Sequence, residues 1–408
     1  MFNVSTAIWI FFVLGCGPLN TIISKIVFEI RSIGLEGFPK PFHKPWFITT
    51  VMFLGMAPGI IVYIAKMIRN KARRHHANRE PLLQVKPVPE PVPMPFWKSA
   101  LYCALPASFD MIGTTVGYIG LLYNSPSVFM MLRGSIIVFS AILSVAFLHR
   151  KLSAQNWFGV IVCATAVTLI GVSNLCAQDA KAVADEPQVT SVGLMGFGML
   201  MILLSQFIQA LQVVTEEKFM KDMTIDPYCV VGMEGIWGTI YMVCIVLPIL
   251  YAVHGDDAGS SENTLDSLML LHHSKKMQTF LAVYLVSIFF TNCAAVIVTK
   301  ILSAIHVTMF NAMQPAIVWF IGLFTYYFVT PTASFAEQWT AWSWLQLGGF
   351  LFLVYGQLVY ADILHVPGFK RPIVQSVPFA TPTSVTALVP SVDYLVFIFF
   401  LCFHQERP

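Results

Sequence analysis

Apolar residues run along this chain in blocks of about 20, separated by polar or proline-marked breaks, and that pattern predicts membrane-spanning helices. The blocks cover residues 6–26, 47–68, 98–123, 127–148, 157–177, 192–214, 228–253, 277–299, 306–329 and 342–364. Four breaks carry charge or proline: residues 69–97, 178–191, 216–227 and 254–276. Two are tight: the turn signal Asn124-Ser125-Pro126, and residues 300–305. The pattern therefore predicts an all-α polytopic membrane protein of about ten transmembrane helices. After Leu364 it dissolves. Residues 376–391 are rich in Pro, Thr and Val, and the apolar run 394–403 is too short to span, so residues 365–408 are expected to form a disordered or interfacial tail.

Composition agrees. Of 408 residues, 57% are hydrophobic and 11% charged, and mean hydropathy is +0.72; a soluble domain would need far more surface charge. A net charge of +3 gives no reason to expect nucleic acid as a partner. The eight cysteines lie in or beside apolar segments with no C-x-x-C pair, which reads as apolar packing rather than disulfides or metal ligation. His75-His76 and His272-His273 fall in polar loops and make no metal site alone. Neither a metal nor a cofactor is expected. The N-terminus lacks a basic n-region and its apolar stretch is too long for a cleaved signal, so the first span is expected to be the targeting signal.

Loop cations set the expected orientation. With the N-terminus in the cytosol, that side receives Lys66, Arg69, Lys71, Arg73, Arg74, Arg79, Lys86, Lys98, Arg150, Lys151, Lys218, Lys221, Lys300, Lys370, Arg371 and Arg407. The opposite side receives Lys25, Arg31, Lys40, Lys44, Lys181, Lys275 and Lys276, beside Asp179, Asp185, Glu186, Asp256, Asp257 and Glu262. The bias exceeds two to one, and both termini are expected in the cytosol. Residues 69–97 begin with a basic run and continue into Lys86-Pro-Val-Pro-Glu-Pro-Val-Pro, the composition of a linker.

The two halves resemble each other. Phe53-Leu-Gly-Met-Ala-Pro-Gly sets against Val231-Gly-Met-Glu-Gly, and Met131-Leu-Arg-Gly-Ser-Ile-Ile-Val-Phe against Ala312-Met-Gln-Pro-Ala-Ile-Val-Trp-Phe. Trp157 and Gly171 answer Trp342 and Gly356. Five helices per half is odd, so the second copy must be inverted in the membrane, with a substrate site near the midplane. The expected units are a first five-helix repeat over residues 1–177, containing the linker 69–97, and a second over 178–364.

Charged side chains inside a span each demand a reason. Asp110, Arg133 and Glu234 sit well inside theirs; Lys25, Glu216, Glu217 and Lys300 lie near ends, where they can snorkel. Ser140 and Ser144 share a face with Arg133, helix six carries the stripe Ser205, Gln209, Gln212, Glu216, helix one offers Asn20, Thr21 and Ser24, and helix nine offers Asn311 and Gln314 before Pro315. The Ser and Thr members are expected to be interhelical glue, while Gln209 and Gln212 read equally as glue or site. Arg133 is different. A guanidinium has no cheap neutral form, so it needs a carboxylate partner, for which Asp110 and Glu234 are the candidates, or an anionic ligand. The candidate substrate-binding set is Asn20, Asp110, Arg133, Gln209, Gln212, Glu234, Asn311 and Gln314. The patterns Gly55-x-x-x-Gly59 and Gly113-x-x-x-Gly117 are expected to let helices approach closely.

Residues 127–139, Ser-Val-Phe-Met-Met-Leu-Arg-Gly-Ser-Ile-Ile-Val-Phe, running on to Ser144-Val-Ala-Phe-Leu-His-Arg-Lys-Leu, resemble the drug/metabolite transporter superfamily. The branch resembled is solute carrier family 35, the nucleotide-sugar-transporter-like group, and within it the F-type orphan members. Asn20-Thr, Glu216-Glu-Lys-Phe, Glu234-Gly and Val298-Thr-Lys-Ile-Leu-Ser-Ala also look like that branch. The resemblance covers roughly residues 6–364. It implies two inverted five-helix halves, alternating access, a central cavity lined partly by helices four and nine, and residence in a lysosomal or Golgi-like endomembrane. The F-type pattern has an acid and an arginine in helix nine where this chain has Asn311 and Gln314, so the substrate is not carried over.

A membrane enzyme is disfavoured, because there is no H-E-x-x-H, no Ser/His/Asp spacing on loops and no ligand cluster. The expected function is secondary transport of a small polar, anionic or zwitterionic metabolite. The alternative is a non-transporting regulatory or scaffold membrane protein. The expected partners are a small-molecule solute and membrane lipid, with a homodimer as the oligomer to consider.

Overall fold

Helices form at all ten apolar blocks, and local chemistry explains where each bends. The computed structural model describes residues 4–77, 96–149, 151–183, 191–223, 226–255, 257–301, 304–331, 333 and 335–368. Most of the linker 69–97 and the tail beyond residue 368 therefore lie outside the described residues. The first block is α1 (Val4–Glu29). The second is α2 (Pro45–Met56) and α3 (Gly59–Ala77), parted at Ala57-Pro58 because a proline removes a donor and crowds the preceding turn. The third is α4 (Phe96–Tyr102) and α5 (Ala104–Tyr123). The fourth is α6 (Pro126–Leu132) and α7 (Ile136–Leu148), joined by a 3-10 turn at Arg133–Ser135. The fifth and sixth are α8 (Ala154–Val183) and α9 (Val192–Met223).

The seventh block is α10 (Pro227–Tyr241) and α11 (Leu247–Ala252), with a π-helical turn Met242–Val246 between them ahead of Pro248. The last three blocks are α13 (Lys275–Ile301), α14 (Ala304–Phe324), which continues as a π turn Thr325–Val329, and α15 (Ser343–Tyr360). Among the described residues, eight helical segments are long and apolar enough to cross a membrane. The third and tenth blocks fall outside that set, yet α5 packs along α9 and α15 along α8. The chain is an all-α polytopic membrane protein.

Two elements have no counterpart in the hydrophobic pattern. Residues Arg31–Ile33 and Pro39–Pro41 pair antiparallel, with Ser32 opposite Lys40. The break 254–276 contains α12 (Thr264–His273), whose first turn is capped by Asn263 Oδ1 accepting from Leu265 N and Asp266 N at 3.0 and 3.1 Å. His272 and His273 are therefore helical, though both stay exposed.

Numbered in chain order, blocks 1–8, 3–6, 1–9, 4–6, 2–8 and 3–7 pack together, as do 2–7, 4–9 and 5–10. Exchanging the first five blocks with the last five maps these main contacts onto one another, whereas the lesser contacts of block 1 with blocks 3 and 4 and of block 5 with block 6 have no equal counterpart. Glycines set the closest crossings. A Cβ at Gly159 would lie 2.7 Å from Tyr360 N and 2.8 Å from Gly356 O, so α8 and α15 touch backbone to backbone. A Cβ at Gly55 would meet Leu285 O at 2.9 Å, and one at Gly117 would meet Ser205 Oγ at 3.2 Å.

One end of the bundle is tied by ions. Lys40 Nζ lies 3.0 Å from both Asp257 Oδ1 and Asp266 Oδ2; Lys44 pairs with Asp257 and lies 3.0 Å from Asp266. Glu262 accepts from Phe47 N at 2.8 Å and Trp46 N at 3.2 Å, satisfying orphan donors at the start of α2. Burial works against the charge on Lys40, but hydrogen bonds to Asp266 and Asp257 outweigh it and hold its pKa above the usual lysine value. Burial likewise opposes ionisation of Asp266, yet the Leu35 amide, Lys40 and Lys44 outweigh it and hold that carboxyl below its usual range. The fold brings Lys40, Lys44, Asp257 and Glu262 together, all from the loops expected to share one side of the membrane, and adds Asp266 to them.

Candidate functional site

Arg133 ends α6, and the chain tightens there into the 3-10 turn before α7 resumes. Gly134 allows this against α15, since a Cβ there would lie 2.7 Å from Leu353 Cδ2. The Arg133 side chain is exposed, although Phe129, Met130, Asp110, Tyr118 and Tyr284 around it are all buried. Its guanidinium carbon lies 5.8 Å over the Phe129 ring, and Nη1 is 3.9 Å from Met130 Sδ. Asp110, Tyr118 and Tyr284 are near enough to act on it electrostatically. An accessible cation bordered by buried residues of α5, α6 and α13 makes this the candidate site.

Neither sequence candidate forms an ion pair with Arg133; no salt bridge involves it among the described residues. Asp110 Oδ1 accepts from Thr114 Oγ1 at 2.9 Å, one turn along α5. Glu234 on α10 instead lies close to Glu216 on α9 and to Gln212, near enough for the groups to act on one another. The buried Oε1 of each carboxyl has no hydrogen-bond partner. Asp110 is close enough to act on both acids, so the two groups adjoin.

The remaining candidates hold helices together. Gln209 lies across Gly113, where a Cβ would come within 3.0 Å of its Cγ. Asn20 Nδ2 donates to Thr291 Oγ1 at 3.2 Å, joining α1 to α13, while its buried Oδ1 is unpartnered. Gln314 Nε2 donates to Val13 O and to Asn311 Oδ1, both at 3.0 Å, joining α14 to α1; Asn311 itself is exposed.

Sequence reasoning missed three features. Tyr118 and Tyr284 share a hydrogen bond between their hydroxyls near Arg133, and two tyrosines inside spans are the available signal. Glu216, read as able to snorkel, turns inward to Glu234, as its place on the stripe with Gln209 and Gln212 could have suggested. Lys25, also read as snorkelling, donates to Leu121 O and Leu122 O at 3.2 and 3.1 Å, capping the last turn of α5. Among the described residues no group of three His, Cys, Asp or Glu side chains converges to hold a metal.

Comparison with known proteins bears on what this site serves. Residues 44–229 match the nucleotide-sugar transporter family. The chain is 28% identical over 360 residues to human solute carrier family 35 member F6, covering 87% of this chain and 88% of that protein. It is 29% identical over 356 residues to the rat protein of the same name, covering 86% and 87%. It is 26% identical over 273 residues to an uncharacterized protein of Schizosaccharomyces pombe, covering 66% and 76%. The matches run along most of both chains, so this chain is similar to members of solute carrier family 35.

Proposed function

We propose that this protein is a secondary transporter that carries a small anionic or zwitterionic metabolite across an endomembrane, lysosomal or Golgi-like, by alternating access. The observation that carries the reading is Arg133: mid-span, open to solvent and without a carboxylate at ion-pair distance. An unpaired guanidinium inside a membrane protein is costly unless a ligand supplies the counter-charge. A planar carboxylate or phosphate suits its fork of donors. The name of the family that residues 44–229 match, nucleotide-sugar transporter, describes an anionic polar solute of that class.

The proposed cycle uses the packing map. Ten spans in two inverted repeats, over residues 1–177 and 178–364, would give main helix contacts that survive exchange of the halves, and the pairings of blocks 1–8 with 3–6, 1–9 with 4–6, and 2–8 with 3–7 support that reading. Solute binding to Arg133, beside Asp110 and the tyrosine pair, favours rocking of one half against the other. Gln212 and Glu234 line the adjoining polar space. Asn20, Gln209, Asn311 and Gln314 act mainly by positioning α1, α9 and α14.

Untargeted comparison of metabolites in the organelle with and without the protein tests the function directly. The expected result is selective accumulation or depletion of a polar anion or zwitterion, reversed by the wild-type chain and not by Arg133→Lys. An unchanged pool in the organelle that holds the protein would favour a scaffold.

A further inference from the structure

We propose that the cleft between α3, α10 and α13 is a binding site for an anionic phospholipid of the cytosolic leaflet, with the headgroup phosphate on Arg69 and Lys66. The cleft encloses about 540 Å³, and its walls include Val62, Lys66, Arg69, Tyr228, Ile297 and Ile301. None of its lining residues belongs to the proposed transport site. Its chemistry is divided. Val62, Ile297 and Ile301 make an apolar wall, whereas Lys66 and Arg69 stand one turn apart on α3 at its mouth.

The two cations differ in what they already hold. Lys66 pairs with Asp226 and sits 5.5 Å over the Tyr228 ring. Arg69 is exposed and forms no ion pair or side-chain hydrogen bond among the described residues, so its fork of donors is free for a phosphate. Beyond it the sequence continues with Lys71, Arg73 and Arg74, a basic run directly after a span. Such runs attract anionic lipid at a membrane surface, and basic pockets between spanning helices hold lipid headgroups.

The surroundings favour a lipid over a dissolved anion. Ile61, Ile64, Met67 and Ile68 on α3 expose apolar side chains around the cations. A phospholipid can cover that apolar surface with its acyl chains while its phosphate meets Arg69. A free phosphate satisfies only the cations. Positive-inside bias places this end in the cytosol, where the leaflet is anionic.

The test uses the full-length protein purified in detergent, with thermal unfolding and native mass spectrometry as readouts. Phosphatidylserine and a phosphoinositide should raise the melting temperature and stay bound in the spectrum; phosphatidylcholine should do neither. Arg69→Gln should melt like wild type without lipid and bind phosphatidylserine about fivefold more weakly, the order expected for one surface cation. Ala65→Phe, which fills the cleft without touching charge, should also weaken retention. Equal stabilisation by phosphatidylcholine, or undiminished binding in both variants, overturns the proposal. So does full stabilisation by soluble glycerophosphoserine or inorganic phosphate, which would mark an anion site instead.

Discussion

At the scale of the residue, ion pairing decides what each buried charge is for. Removing one member of a buried ion pair typically costs about 3–5 kcal/mol. Arg133 has no such partner and reaches solvent, so Arg133→Ala and Arg133→Lys should each unfold within about 1 kcal/mol of wild type in a detergent unfolding assay. A loss near the buried-pair value would mean that an ion pair forms in the membrane after all. The acids predict the opposite sign. Glu234 and Glu216 lie close together, each with a buried oxygen that has no hydrogen-bond partner, and carboxylates only accept. Glu234→Gln gives Glu216 an N–H donor in place of a competing acceptor, so its melting temperature should equal or exceed that of wild type. A clear drop would show that the native pair is better satisfied than its orphan oxygens imply.

Much of this residue chemistry was legible in the sequence only by type. Asp110, Arg133 and Glu234 announce themselves because a charge mid-span needs a reason, and the structure gives each a buried polar neighbourhood. Their partners were not legible. Helical spacing tells which side chains share a face, but not which helix that face meets. Thus the sequence offers Glu234 as a partner for Arg133, while the fold sets it beside Glu216. Gln314 looked like a ligand group and is spent on Val13 O, a bond between residues 301 positions apart.

At the scale of the element, hydropathy locates spans well and irregularities poorly. The 3-10 turn at Arg133, the two π turns and α12 leave no signature in a window average, because each depends on packing or on one cap. The glycines give a paired test within α8. Gly159→Leu must displace the backbone of α15 and should destabilise by about 1–3 kcal/mol or more. Gly171→Ala meets nothing within 4 Å, and should be neutral or stabilising by up to about 1 kcal/mol. If both behave alike, backbone contact between α8 and α15 is not what limits that crossing.

Glu262 gives the fold a dependence on pH. Burial pushes its carboxyl up to about 7 from 4.5, with Asp257 adding to the rise, against the Phe47 and Trp46 amides and Lys44. The folded chain therefore retains a proton that the unfolded chain has released between those values. Stability should fall as pH rises from about 4.5 to about 7 and then level off. The total is at most about 3 kcal/mol at 1.36 kcal/mol per unit. Asp266, held low, contributes a change only below its ordinary value of 3.8, outside that window. Glu262→Gln should flatten melting temperature against pH across the window. A slope that survives the substitution belongs to another group.

At the scale of the whole molecule, the expected orientation can be read with glycans. Asn3-Val-Ser, expected in the cytosol, should stay unmodified, whereas a sequon introduced into residues 254–276 should be glycosylated. Sugar on Asn3 would invert the topology and move the Arg69 cleft to the other leaflet. The central claim is that Arg133 binds the solute that the bundle carries. Proteoliposomes holding purified protein, loaded with a small-molecule extract of the host organelle and sampled by mass spectrometry, test it most directly. The account predicts time-dependent, saturable exchange of an anionic or zwitterionic species by wild type, and its loss in equally well reconstituted Arg133→Lys vesicles. Undiminished exchange by Arg133→Lys, or no exchange of any species by folded wild-type protein, would contradict it.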